Sequence, residues 1–192
     1  MKKSLGAKTF LYSSPVLLVG SYDASGKPNA MTAAWAGICC GQPPCVYVSL
    51  RQATHSYGSI MERKAYTISV PSVDLLAETD YLGTASGRDA DKFAATGLTP
   101  VRSDLVDAPY VAECPLVLEC RLVHAIDLGL HTMFVGEVLD VKADEGVLDE
   151  QGYLSLERVR AFLYAAPERS YYAAGEFLGK AHVAGKSFPA RG

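Results

Sequence analysis

The sequence predicts a mainly β protein, a closed or partly closed barrel of antiparallel strands with short helical inserts, and three observations carry that prediction. Runs of strand character outnumber helical ones along the 192 residues. The runs 16–22, 29–35 and 45–51 follow one another without the crossover helices that parallel pairing requires, which argues against a doubly wound sheet. Further on, 115–126 and 131–142 flank Asp127 and Gly129 as one long hairpin.

Taken in order, the apolar run 16–22 ends at Asp23, Ser25 and Gly26, a turn cluster, and 29–35 runs back from it. Pro43 and Pro44 force a break, after which CVYVSLR (45–51) is β-rich and partly alternating. From Thr54 the pattern turns helical. Tyr57, Ile60 and Met61 recur at helical spacing, Thr54 is placed to cap the first turn, and Glu62, Arg63 and Lys64 form a polar exit. The next strand, 66–70, stops at Pro71. Helices are expected over 73–81 and 89–96, the second ended by Gly97 as a left-handed cap and by Pro100. The run 159–164 reads as a further strand, whereas 171–192 shows little regular pattern. That Gly-rich, aromatic tail suits a wrap onto a partner subunit.

The length suits one domain, 1–192, with a core of its own. A net charge of -3 and a pI near 5.8, with no basic run longer than Lys2 and Lys3, argue against nucleic acid as a partner. No apolar stretch has the length of a membrane span or a secretory signal, so a cytoplasmic protein is expected. The five cysteines, Cys39, Cys40, Cys45, Cys114 and Cys120, are odd in number and lie in apolar surroundings, which predicts buried thiols in a reducing compartment. There is no Cys-x-x-Cys, and the histidines show no ligand spacing with the cysteines, so no metal site is expected.

Three local features bear on chemistry. Ser49 and Arg51 share a strand face, and Thr54, His55 and Ser56 follow at a helix start, where free amides and the positive dipole end favour an anion. This is either a phosphate site or an ordinary capped helix with a solvent-facing arginine. The run TASGRDADKF (84–93) also opens a helix, with a solvated loop capped by Asp89 as its plain alternative. Between 29 and 36 the side chains are small (Ala30, Thr32, Ala33, Ala34, Ala36) around a lone Trp35; tight packing against a neighbour would explain that, and so would a flat ligand. One ligand that satisfies all three features is planar, edged with hydrogen-bonding groups and phosphorylated, as flavin mononucleotide (FMN) is.

The order PVLLVG (15–20), NAMTAAW (29–35), Pro43 and Pro44, VSLR (48–51), THS (54–56), TISVP (67–71), SGRDADKF (86–93) and HTMFVGEV (131–138) resembles the flavin reductase-like family, flavoredoxin type, over roughly 10–165. The resemblance implies an FMN-binding split β-barrel homodimer whose C-terminal extension, 166–192, lies at the dimer interface. It further implies that Asn29, Ala30, Met31, Thr32, Ala33 and Trp35 face the flavin ring, with backbone amides around 31–33 at its polar edge. Ser49, Leu50, Arg51, His55 and Ser56 would hold the ribityl chain and phosphate, and Ser86, Gly87 and Lys92 would close over the cofactor. His131 is either a strand-end histidine or a candidate catalytic group beside the ring.

The implied activity is that of an NAD(P)H-dependent flavin reductase or a flavoredoxin-like electron-transfer protein; the alternative is a non-enzymatic FMN carrier or store. No Gly-x-Gly-x-x-Gly occurs, so NAD(P)H is expected as a transient co-substrate without a Rossmann site of its own. A redox protein is the other partner to expect. Glu119 and Glu137 read as rim or interface charges.

Overall fold

Seven strands form the main sheet, in the order β3 (Pro28–Ala33), β2 (Leu17–Tyr22), β6 (Ala65–Val70), β9 (Leu116–Asp127), β10 (His131–Ala143), β5 (Pro44–Arg51) and β4 (Ala36–Gly41). Every adjacent pair is antiparallel. The computed structural model describes residues 1–11 and 13–184; the end of the C-terminal extension, 185–192, lies outside them. The two outermost strands, β3 and β4, are joined by Ala34 and Trp35 alone. The three residue steps from Ala33 to Ala36 span at most about 11 Å, whereas the edges of a flat sheet of this width stand about 29 Å apart. The sheet therefore curls until its edges meet at Ala34 and Trp35, where the Trp35 carbonyl extends the β4–β5 ladder by accepting the Ser49 N–H at 2.8 Å. The result is a split barrel.

The barrel interior takes one face of each strand. Val19, Val46, Val48, Leu50, Tyr66, Ile68 and Phe134 fill it, with Ile60 of α1 (His55–Arg63) plugging one side. Tyr66 is wholly buried, and its hydroxyl lies 3.3 Å from the Val46 carbonyl and 3.4 Å from that of Phe134. A side chain at Gly136 would stand 2.5 Å from that hydroxyl, so glycine is what admits the ring. On the opposite face, Leu18 and Ala30 pack against Leu82 of α2 (Leu76–Thr84) and Phe93 of α3 (Lys92–Thr96), with Leu98 and Val111. Burial on both faces explains why 16–22 reads as a continuous apolar run rather than an alternating one.

The remaining elements flank the barrel. A hairpin of β7 (Pro100–Arg102) and β8 (Pro109–Val111) is tied to β6 by Thr67, whose hydroxyl donates to the Pro109 carbonyl at 2.5 Å, and by Ser69, which accepts from the Val111 N–H at 3.1 Å. A second sheet orders β1 (Ser14–Pro15), β11 (Phe162–Ala165) and β12 (Ser170–Ala173), beside a short α4 (Leu156–Val159). No helix among the described residues is long and apolar enough to cross a membrane.

Several expectations are corrected. Residues 36–41 form β4, and the prolines sit in the β4–β5 hairpin, so four strands rather than three span 16–51. The helix expected over 73–81 is a 3-10 turn, Val73–Leu75, followed by α2, which runs on to Thr84. The helix expected over 89–96 starts at Lys92; Asp91, not Asp89, caps it by accepting from the Ala94 N–H, while Gly97 adopts the left-handed conformation foreseen. Thr54 holds the N-cap position of α1, but its hydroxyl donates back to the Arg51 carbonyl. Part of the irregular tail is β12. Of the cysteines, Cys45, Cys114 and Cys120 are buried, whereas Cys39 and Cys40 are exposed. Glu119 is fully buried rather than at a rim.

Candidate functional site

β3 is an edge strand, and its ladder with β2 decides which backbone groups it leaves free. The Asp23 N–H donates to the Lys27 carbonyl at the hairpin end, so hydrogen-bonded pairs recur at Asn29, Met31 and Ala33. The N–H and C=O groups of Ala30 and Thr32 point the other way and have no ladder partner among the described residues. The side chains alternate as well. Met31 and Ala33 face the barrel core, Ala30 packs beneath α2 and α3, and the Thr32 hydroxyl donates to the Thr79 carbonyl of α2 at 2.5 Å. At Ala30 and Thr32, then, it is the backbone that reaches the free edge.

A cavity of about 180 Å³ runs beside this edge. Asn29, Met31, His55, Ser56, Ser86, Gly87 and Lys92 line it, together with 53–54 and 82–85. Seven of the residues singled out from sequence thus meet, although they come from β3, the start of α1 and the loop before α3. The Asn29 side-chain amide donates to Ser56 Oγ at 2.9 Å, a buried bond that fixes both groups. Gly87 closes the loop onto them: a Cβ there would stand 2.4 Å from Asn29 Oδ1 and 2.7 Å from the His55 ring. In the first turn of α1 the Tyr57 N–H donates to the Thr54 carbonyl at 3.3 Å, and the amides of His55 and Ser56 have no intrahelical acceptor, as at any helix start.

Lys92 is the unusual member. It is 4% exposed, its ammonium donates to the Leu82 carbonyl at 2.8 Å, and among the described residues no carboxylate pairs with it. Burial drives its pKa down to about 8.

A second group lies on the outer face of the barrel. The rings of Trp35 and His131 meet with centroids 4.5 Å apart and an interplanar angle of 39°. His131 stands opposite Arg51 in the β10–β5 ladder and Met133 opposite Ser49, so Ser49, Arg51 and His131 share that face. The side chain of Leu50 points into the core instead, leaving only its backbone for a ligand. A four-residue turn joins the two groups, for the Arg51 carbonyl accepts both the N–H and the hydroxyl of Thr54, which lines the cavity.

Sequence reasoning missed two contributions. The C-terminal end of α2 walls the cavity, and Gly83 lets it approach Thr32 closely. Arg88 locks the loop by donating to the Ala53 carbonyl at 2.8 Å; its place in the polar run 84–93 was the available signal. Through Gly83 and Thr84 the cavity adjoins a second one of about 320 Å³ that Tyr164, Arg169 and Tyr171 help to line, where Tyr171 donates to Asp80 at 2.9 Å.

Comparisons with known proteins agree with this architecture. Flavoredoxin of Desulfovibrio vulgaris (Miyazaki F) superimposes with a TM-score of 0.92 at 53% identity, covering 97% of this chain and 100% of that one. An FMN-binding domain of a flavin reductase-like enzyme from Shewanella baltica OS155 gives a TM-score of 0.75 at 28% identity, over 87% of this chain and 89% of that one. The reductase component of a 4-nitrophenol 4-monooxygenase/4-nitrocatechol 2-monooxygenase from Rhodococcus opacus is 29% identical over 121 residues, 63% of this chain and 62% of its own. The family model described as flavin reductase like domain matches residues 9–168, which hold the whole barrel and both groups of site residues, and the chain belongs to that family.

Proposed function

We propose that this protein binds FMN along the free edge of β3 and works as an oxidoreductase, taking electrons from a transiently bound NAD(P)H and passing them to a redox partner. The observation that carries the reading is Lys92, a buried ammonium with no carboxylate partner among the described residues, facing a cavity that also presents Asn29, Ser56, His55 and Ser86. An uncompensated buried charge is costly, and an anionic or electron-rich ligand edge offsets that cost. The name of the FMN-binding domain from Shewanella baltica supports the choice of FMN.

In this reading Arg51 and the start of α1 hold the phosphate, since a planar guanidinium donates two parallel bonds and first-turn amides favour an anion. The unpaired backbone groups of Ala30 and Thr32 meet the polar edge of the ring. Trp35 and His131 form its apolar flank and limit access of water. Lys92 places positive charge where the ring gains electrons. FMN, once bound, supplies the hydride and electron chemistry, so the reaction requires no general acid–base pair from the chain.

The reading carries with it a homodimer in a reducing cytoplasm, in which the described part of the aromatic extension, 166–184, covers the flavin groove of a partner. The exposed Phe177 and Leu178 support that cover.

The test starts from apoprotein titrated with FMN and followed by flavin fluorescence. Saturable binding at one site per chain, weakened in Lys92→Met, is the expected result; no binding overturns the reading. Anaerobic stopped-flow mixing of the loaded protein with NADH or NADPH then separates the enzyme from a passive carrier: rapid loss of flavin colour marks the enzyme.

A further inference from the structure

The β4–β5 hairpin carries three of the five cysteines, at the opposite end of β5 from Arg51. Cys40 stands directly across the ladder from Cys45. Facing residues in an antiparallel pair have Cα atoms about 4.5–5.5 Å apart and side chains on one face. That separation lies inside the window of about 4.4–6.8 Å that a disulfide needs. A register shift between Ile38 and Cys40 breaks the alternation at Cys39. As a consequence Cys39 and Cys40 are both open to solvent, whereas Cys45 is 7% exposed.

We propose that Cys40 and Cys45 form a thiol–disulfide exchange site whose substrate is a soluble aliphatic disulfide. Cys40, exposed at the turn with its Sγ 3.4 Å from the Gln42 carbonyl, is the attacking group. Its thiolate displaces one sulfur of the substrate, forming a mixed disulfide and releasing the first thiolate. Cys45 then attacks the Cys40 sulfur, closing the Cys40–Cys45 bond and releasing the second. Two protein thiols are oxidised, one disulfide is reduced to two thiols, and the two cysteine protons end on them. The order follows from access and acidity. The Cys45 thiol is held above its ordinary pKa, first by burial and then by Cys40, Cys39 and Glu137, so it is the poorer first nucleophile.

The bond would be reversible rather than a structural staple. It encloses only 41–44, and so short a loop removes little entropy from the unfolded chain. Exposed bonds are also the labile ones. The site stands apart from the candidate flavin groove, because Cys45 lies about 14 Å along β5 from Ser49.

The test treats the full-length protein with excess oxidised glutathione and counts free thiols. Loss of three of the five, restored by dithiothreitol, is expected: two in the Cys40–Cys45 bond and one as a glutathione adduct on the exposed Cys39. Cys39→Ser should lose two and carry no adduct, and Cys45→Ser should halt at a glutathione adduct on Cys40. Retention of all five thiols, an internal bond that persists in Cys40→Ser, or a link between chains on a non-reducing gel overturns the proposal. Should Cys45→Ser not fold, fragmentation mass spectrometry of the oxidised parent decides alone, by showing whether Cys40 is joined to Cys45.

Discussion

Among the described residues two charged side chains are buried, and they are treated differently. Glu119, on β9, is fully buried, with Lys142 at 2.9 Å and Asp140 in turn 2.8 Å from Lys142. That 2.9 Å approach is a charge contact more than a directed hydrogen bond, since neither oxygen of Glu119 meets hydrogen-bond geometry. Lys92, beside β3, has one carbonyl and, among the described residues, no carboxylate. The two lysines accordingly diverge: Asp140 and Glu119 hold the Lys142 ammonium above its ordinary range, while burial drives Lys92 down to about 8. A buried charge answered from within the chain belongs to the scaffold, and one left unanswered in a cavity marks where something else binds.

The largest effect that would break this contrast is on the scaffold side. Lys142→Met removes the cation facing Glu119 and should cost about 3 kcal/mol in urea unfolding, at the low end for a broken buried pair because Lys142 is partly exposed; FMN affinity should not change. An unaltered midpoint would show that Glu119 is solvated and the contrast false. The opposite pattern is expected of Lys92→Met. FMN affinity should fall by about 2 kcal/mol, roughly thirtyfold, while the apoprotein matches or exceeds its parent in stability, as a desolvated ammonium gives way to an apolar chain of similar length. Arg51→Ala should weaken FMN by about 1.5 kcal/mol, the low end for a charge-assisted bond at an exposed residue, with no change in unfolding.

A pH series sharpens the same comparison through sign. The folded-state pKa of Lys92, about 8, lies below its unfolded 10.5, so the charged form is disfavoured on folding. Unfolding therefore takes up a proton between those values, and this residue's contribution makes the apoprotein more stable as pH rises through that window. Ligand binding runs the other way, since it draws on the protonated amine. Affinity should be level below about pH 8 and fall by up to roughly tenfold over the next unit. Both trends, taken as differences from Lys92→Met, should be absent in that variant.

Much of this was legible along the chain, for reasons that particular residues show. Runs such as 17–21 and 66–70 announce themselves because neighbouring strands and helices bury them. The strand AGICCG (36–41) does not, since Ile38 is 84% exposed and a bulge at Cys39 destroys the alternation. The choice between Asp89 and Asp91 as a cap could not be made from composition, because both are competent and the loop clamped by Arg88 and Gly87 decides where the helix begins. At the candidate site, the family resemblance gathered Asn29, Ser56, Ser86 and Lys92 around one ligand, whereas composition and spacing could not, because the four come from β3, α1, the loop before α3 and α3 itself.

Order along the chain was enough to specify a barrel. Antiparallel runs without crossovers admit few arrangements; that Ala34 and Trp35 alone join the two sheet edges emerged only with β4 in the folded chain. What the linear order left open was which polar groups would be orphaned. That depends on pairing parity, which frees the backbone of Ala30 and Thr32, and on depth, which strips water from Lys92 while Glu119 keeps Lys142 beside it. Desolvation and hydrogen-bond satisfaction are sums over neighbours distant in sequence, so only the folded chain sets them.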